Sequence, residues 1–146
     1  MWLKIHIGTG SVLGDLHHLQ GYKSRTVMNE AAVFNIQKKI AAEFSRHSEL
    51  AGSKFLDYLN NRLYSTISNG SASRFEWETA IETLSKMLFQ HYKRHVVILI
   101  DEYDVPIQSG FEHGYYDKII AFMRNFLHGA FKDNPSLYRG VWMCAR

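Results

Sequence analysis

The sequence predicts an α/β fold in which a parallel sheet is flanked by helices. Residues 96–100 form a run of five apolar residues, four of them β-branched, without a polar face. Such a run is typical of a strand that is covered on both sides, as in parallel sheets. Segments with apolar residues at helical spacing lie before and after it. The resulting order of strand, helices, strand, helix, strand is characteristic of α/β proteins.

The first half of the chain predicts one strand and two helices. Residues 3–7 alternate apolar and polar side chains, which is the period of a half-buried strand, and a glycine-bearing connection runs from there to about Asn29. Apolar residues at helical spacing predict helices over residues 30–48 and 55–67. Gly52 lies between the two segments and is expected to break the helical pattern.

A third helix is predicted to precede the apolar run. Ser73 and Glu76 stand three residues apart at the end of a polar loop, which is the capping-box pattern of a helix N-terminus. The helix is expected to continue from there towards the strand. Its apolar stripe comprises Trp77, Ile81, Leu84, Leu88 and Tyr92.

Beyond the apolar run, the sequence predicts one more helix and a closing strand. Pro106 is expected to stop regular structure. The helix spans about residues 117–132 and ends at residues 133–135, while residues 137–145 predict a strand interrupted by Gly140. The inward side of this helix is expected to comprise Ile119, Ile120, Met123, Phe126 and Leu127. Of these, Ile120, Met123 and Leu127 are expected to pack against the sheet.

Composition and charge narrow the class of protein. Of the 146 residues 46% are hydrophobic and 21% are charged, so one folded domain over residues 1–146 is expected. The net charge is +3 and the basic residues are spread out, which is compatible with nucleic-acid binding but is not evidence for it.

The single cysteine, Cys144, cannot form an intramolecular bridge, so a reducing cytoplasm is the expected compartment. No stretch approaches the ~20 apolar residues of a membrane-spanning helix, so no membrane partner is expected.

Acidic residues follow the apolar run directly. Asp101 and Glu102 come first, and Asp104 lies two residues further on. Hydrophobic residues followed by Asp-Glu are the Walker B pattern of P-loop ATPases. There the Asp binds a water of the nucleotide-bound Mg²⁺, and the Glu polarises the water that attacks the γ-phosphate. A strand end with two solvated acids is the alternative that the pattern leaves open.

The wider neighbourhood resembles the predicted AAA-ATPase-like family of bacteria. The resemblance rests on residues 99–107 (LIDEYDVPI), on residues 114–116 (GYY) and on a helix that ends near Lys-Asp-Asn, and it extends from about Lys38 onward. It implies a partial three-layer P-loop NTPase-like parallel sheet with ATP and Mg²⁺ as cofactors. It also implies that Asp101 and Glu102 are catalytic, that Asp101 holds Mg²⁺ through water, and that Asp104 assists at the cofactor.

The chain departs from that family at both ends. The family carries a Walker A loop, G-x-x-x-x-G-K-[ST], before this region, and residues 21–24 (GYKS) are only an imitation of it. The family also continues with a sensor strand and a lid. The chain is therefore expected to be a truncated ATPase that is inactive alone, with the missing Walker A segment and the C-terminal part as its partners. A nucleic-acid or protein client is left open.

Two other functions are compatible with these residues. The chain could be a non-catalytic remnant or protein-interaction module that keeps the fold without binding nucleotide. A nuclease that uses Asp101, Glu102 and Asp104 on Mg²⁺ is a weaker alternative, because the sequence lacks the lysine that usually follows the acids of such sites.

Overall fold

The computed structural model describes residues 4–8, 25–132, 134–137 and 142–144, and helices make up most of them. The first elements are β1 (Lys4–Gly8), α1 (Arg25–Arg46), a short 3-10 helix (Ser48–Leu50), α2 (Tyr58–Ser68), α3 (Arg74–Glu78) and α4 (Ala80–Tyr92). They are followed by β2 (Val97–Asp101), α5 (Val105–His113), α6 (Tyr116–Phe131) and β3 (Trp142–Cys144). No helix in the described ranges is long and apolar enough to cross a membrane.

The three strands form a small mixed sheet in the order β1-β2-β3. β1 runs antiparallel to β2, with Ile5 opposite Ile100, whereas β3 runs parallel to β2. The prediction of a partial three-layer, P-loop NTPase-like parallel sheet flanked by helices is therefore wrong. The structure is mostly helical, and its sheet is neither wholly parallel nor large enough to organise three layers.

The apolar run misled because its strand is covered on one face only. Ile98 and Ile100 are buried, but Leu99 between them is 37% exposed. The strand thus shows the alternation of a half-buried strand despite having no polar face in its sequence. An apolar run shows that its side chains are apolar. It does not show whether other elements of the fold cover both faces of the strand.

The core is built mainly between helices. α1, α4 and α6 each carry an apolar stripe, and these stripes bury one another together with the inner face of β2. The largest fully buried side chains are Ile40, Phe44, Leu50, Ile67, Ile81, Leu84, Met87, Leu88, Ile98, Ile100 and Phe126.

The first strand and the first helix occur close to where they were predicted. β1 confirms the alternating segment, shifted by one residue. α1 begins at Arg25 rather than at residue 30, so the last residues of the predicted connection are helical. The remainder of that connection, residues 9–24, lies outside the described residues. Gly52 has a φ of +67°, a left-handed conformation that suits glycine, and α2 starts only at Tyr58.

The capping box is confirmed, but it opens a short helix. The Ser73 side chain accepts from the Glu76 backbone N–H, and the Glu76 carboxylate accepts from the Ser73 N–H over 2.6 Å. α3 then ends at Glu78. Its C-cap residue is Thr79, whose hydroxyl donates to the Phe75 carbonyl, and α4 begins at Ala80. The single predicted third helix is thus two helices. Of its predicted stripe only Tyr92 stays substantially exposed.

Two predictions after β2 need correction. Pro106 occupies the first turn of α5 instead of stopping regular structure, because a helix N-terminus needs no N–H at that position. α6 is confirmed, with Met123 buried, but it packs chiefly against α5, α4, α3 and α1 rather than against the sheet. Ile120 and Leu127 are only half-buried, and Phe122 takes a core position that the spacing did not predict.

The closing strand is confirmed in part. β3 covers Trp142–Cys144, and Leu137 forms an isolated parallel bridge with Val96 at the start of β2. Gly140, the predicted interruption, lies outside the described residues. Leu137 and β3 therefore both pair with β2 on the same side, and β2 is the central strand.

Candidate functional site

The acidic tip lies at the carboxyl end of the central strand. β2 ends at Asp101, and a short turn leads directly into α5, with the Val105 N–H donating to the Glu102 carbonyl over 3.2 Å. Asp101, Glu102 and Asp104 are all half-buried. The three predicted site residues therefore lie within one turn at the carboxyl end of β2, beside the end of its parallel neighbour β3.

Asp101 is anchored by both neighbouring strands. Its backbone is opposite Lys4 of β1 and Cys144 of β3. Because Asp101 is paired with a strand on either side, the position of its Cα is fixed. Its carboxylate therefore extends from a fixed point at the carboxyl end of β2.

Glu102 has a left-handed backbone, with a φ of +57°. For a residue with a Cβ this conformation costs about 1–2 kcal/mol. It ends the strand abruptly and turns the chain towards α5, so Glu102 leaves the alternation that Asp101 completes. Strained backbone of this kind clusters at functional sites.

Asp104 is the N-cap of α5 but does not cap it. An N-cap aspartate ordinarily accepts a hydrogen bond from the backbone of the first helical turn, and here no side-chain cap bond forms. Its Oδ1 atom is buried and has no hydrogen-bond partner among the described residues. A buried carboxylate oxygen is costly without a donor or a cation, so Asp104 Oδ1 is a candidate position for one.

The chemistry of the three acids suits a water-mediated cation better than a bare one. The described part of the chain contains no group of three His, Cys, Asp or Glu side chains placed to hold a metal directly. Mg²⁺ commonly keeps several waters and is bound by one or two carboxylates together with substrate phosphates. Asp101 and Asp104 are the candidate carboxylates for that role. Residues 21–24, the nearest imitation of a phosphate-binding loop, lie outside the described ranges.

Asn134 fixes the other end of β2, a role that the sequence did not reveal. Its side-chain amide donates to Ser85 Oγ of α4 and to the Ala130 carbonyl of α6, while its Oδ1 accepts from the Ser136 N–H. Ser136 in turn accepts from the Val96 N–H over 2.8 Å. Asn134 thus ties two helices to the segment that pairs with β2. The only advance signal was its place after a helix, which looks like an ordinary helix stop.

Gly110 allows α5, the helix that follows the acidic tip, to pack closely against α6. It is buried, and a Cβ at this position would lie 2.5 Å from Ile119 Cγ2 and 3.3 Å from the Tyr116 Cα. α5 and α6 therefore approach more closely than any side chain at position 110 would allow. Close by, Ser109 Oγ and the buried Tyr115 hydroxyl form a hydrogen bond of 2.6 Å. A glycine inside a helix would have been the sequence signal for this contact.

A comparison with known protein families gives a match over most of the chain. A family model described as Predicted AAA-ATPase matches residues 18–143. The match begins upstream of Lys38, so it covers more of the chain than the motifs around β2 suggested. No curated protein and no solved structure matches the chain.

Proposed function

The chain belongs to the predicted AAA-ATPase family, and we propose that it supplies the acidic half of an ATP-hydrolysing site. In this proposal Asp101 binds Mg²⁺ through water, Glu102 orients and polarises the attacking water, and Asp104 supports the Mg²⁺ shell. The phosphate-binding loop comes from a partner segment of the same ATPase. ATP and Mg²⁺ are the cofactors, and the reducing cytoplasm is the proposed compartment because the chain has one cysteine.

The buried Oδ1 of Asp104 is the observation that carries the proposal. The oxygen has no hydrogen-bond partner among the described residues, although it lies at an N-cap where partners are normally available. A Mg²⁺ water would supply the missing donor. The site then needs no protein cage, since phosphate oxygens complete the coordination.

The backbone of Glu102 supports a separate role for this residue. Its left-handed conformation removes it from the strand alternation, so it need not share the position of Asp101. A carboxylate beside the metal carboxylate can act on the attacking water while Asp101 serves the cation. General-base contributions of this kind are typically about 10²–10⁴-fold.

The chain alone is proposed to be inactive. Most phosphate affinity in this class comes from backbone N–H groups and the lysine of the Walker A loop, a motif that the sequence of 146 residues does not contain. Calorimetry on the isolated chain should show weak or no ATP·Mg²⁺ binding. Sub-micromolar, Mg²⁺-dependent binding would overturn the requirement for a partner segment.

The catalytic assignments are tested with the phosphate-binding segment supplied by fusion. ATP binding and hydrolysis are measured for Glu102→Gln and Asp101→Asn, with Asp117→Asn on the exposed side of α6 as the control. Glu102→Gln should bind ATP and lose turnover, whereas Asp101→Asn should also weaken the Mg²⁺ dependence. If Glu102→Gln hydrolyses ATP at the parental rate, the residue has no catalytic role. If the fusion neither binds nor hydrolyses ATP, the non-catalytic interaction module is the better description.

A further inference from the structure

The turn that follows α2 contains the pair Asn69-Gly70. No other asparagine of the sequence is followed by glycine. Both residues are exposed, and a Cβ added to Gly70 would have no atom within 4 Å. A backbone nitrogen that follows asparagine can attack the side-chain amide, and glycine hinders this attack least because it has no Cβ. The pair is therefore the place in this chain where an asparagine side chain is most open to attack by its own backbone.

Two backbone hydrogen bonds close this turn. Asn69 is the C-cap of α2, and Gly70 has a φ of +81°. The Gly70 N–H donates to the Ile67 carbonyl over 3.1 Å, and the Ser71 N–H donates to the Thr66 carbonyl over 3.0 Å. This pair of bonds is the Schellman motif, in which a helix ends at a left-handed glycine. The nitrogen that would attack is therefore engaged in a hydrogen bond whenever the turn is closed.

The Asn69 side chain is held as well. Its Oδ1 accepts from the Ser71 N–H over 2.9 Å and from the Ser71 hydroxyl over 2.6 Å. The backbone of Asn69 has a ψ of −1°, which places the Gly70 nitrogen beside the nitrogen of Asn69 and not beside its Cγ. Ring closure therefore needs a large rotation about the Cα–C bond of Asn69. The closed turn keeps the two reacting atoms apart.

We propose that Asn69 is a site of spontaneous deamidation and that the opening of this turn sets its rate. In the open turn the Gly70 nitrogen loses its proton to solvent and forms a bond to Asn69 Cγ. The bond between Cγ and Nδ2 breaks, and Nδ2 takes up a proton and leaves as ammonia. Water then opens the resulting succinimide at either carbonyl, which gives aspartate or isoaspartate. One water is consumed and one ammonia is released, without oxidation or reduction.

Both products alter the end of α2. Each adds a negative charge at the C-terminal end of the helix, where the helix dipole disfavours it. Isoaspartate also lengthens the main chain by a methylene group, so the spacing that closes the Schellman motif is lost. This modification goes beyond ATP hydrolysis, and it involves none of the residues of the acidic tip.

The proposal is tested on the full 146-residue chain, incubated at mildly alkaline pH either folded or in concentrated urea. Peptide mapping by mass spectrometry locates the modified residue. Asn69 should be converted in both samples, and more slowly in the folded one. The slowing should match the factor by which the fold protects the Gly70 N–H from hydrogen exchange, because both events require the same hydrogen bond to open. Asn125, which is exposed on α6 and precedes Phe126, is the internal control and should stay intact.

A pair of serine variants tests the role of the turn. Ser71→Ala removes the hydroxyl that donates to Asn69 Oδ1, so the folded chain should deamidate about two- to tenfold faster while the rate in urea stays the same. Ser45→Ala removes an exposed hydroxyl of α1 and should change neither rate. Circular dichroism confirms that both variants are folded.

Three results would overturn the proposal. If the folded chain deamidates at the rate seen in urea, the turn does not control the reaction. If Asn69 is still intact when the exchange protection of Gly70 predicts conversion, it is not a modification site of the folded protein. Equal modification of Asn125 and Asn69 would mean that the glycine and the turn give no selectivity.

Discussion

Asn134 and Ser85 are 49 residues apart in sequence, and the Asn134 side-chain amide donates to Ser85 Oγ over 2.8 Å. Ser85 is fully buried in α4, so the contact brings the chain that follows α6 onto the helix that precedes β2. The start of β2 is thereby held by side-chain hydrogen bonds as well as by the backbone pairing of Val96 with Leu137.

Replacing Asn134 by Ala should lower the free energy of unfolding by about 1–3 kcal/mol, because Ser136 N–H and Ser85 Oγ would lose a partner in a half-buried site. Urea unfolding measures the change. Asn125→Ala is the matched control, since Asn125 donates to Glu78 over 3.0 Å at an exposed site and should cost less than about 0.5 kcal/mol. Equal costs in the two variants would contradict the role given to Asn134.

Gly110→Ala should destabilise the chain by about 1–3 kcal/mol through overpacking of α5 against α6. Gly129→Ala provides the contrast, because its Cβ would meet only Glu82 Oε2, at 3.1 Å on a flexible side chain. That variant should be neutral or up to about 1 kcal/mol more stable, as alanine favours a helix. Thermal unfolding of both variants distinguishes close packing from helix propensity, and two changes of the same sign would refute the packing argument.

Asp104→Asn should stabilise the isolated chain by about 1 kcal/mol, because it removes the charge from a buried oxygen that no described residue satisfies. Urea unfolding without Mg²⁺ is the measurement. Asp117→Asn, at an exposed position in the first turn of α6, should instead destabilise by up to about 1 kcal/mol, because it removes a negative charge from a helix N-terminus. A lower stability of Asp104→Asn would mean that the carboxylate already has a favourable environment.

Glycine at the left-handed residues should relieve backbone strain. Lys93, the C-cap of α4, has a φ of +55°, and Glu102 has a φ of +57°. At each position the glycine variant should be about 1 kcal/mol more stable than the alanine variant, since the comparison removes the side chain from both. If alanine is as stable as glycine at either position, that residue is not left-handed in solution.

The capping box should make α3 sensitive to acid. Hydrogen bonds from the Ser73 backbone and side chain lower the pKa of Glu76 in the folded protein. A carboxyl with a lowered pKa stabilises the fold above its unfolded pKa, and that contribution is lost as the pH falls through the folded pKa. The stability difference between the parent and Glu76→Gln should therefore be present at about pH 7 and vanish in acid. A difference that persists in acid would have another origin.

Local features of the fold were predictable, and the assembly of the sheet was not. The Ser73–Glu76 pair specifies its own hydrogen bonds within one turn, so the pattern was sufficient. The exposure of Leu99 depends on whether a second layer covers β2, and the strand itself contains no information about that. Pro106 is compatible with both a stop and a first helical turn, and the residues after it decided between them.

The same distinction applies to the candidate site. Asp101, Glu102 and Asp104 were identified because their chemistry is written in consecutive residues. Asn134 and Gly110 act through contacts with distant elements, with Ser85 and with Ile119, and a single sequence does not show which partners they meet. Their roles required the three-dimensional structure.

The pairing of β1 with β2 has a consequence for the order of folding. The backbone pairing of Ile5 with Ile100 closes a loop that contains α1, α2, α3 and α4. α5 and α6, in contrast, are neighbours in sequence. Loop closure over a long segment costs entropy before the contact repays it, so local helical pairs form first. We expect β1 to join late and to open first. Amide exchange in β1 should therefore be faster than in α4 and α6, at a free energy below that of global unfolding.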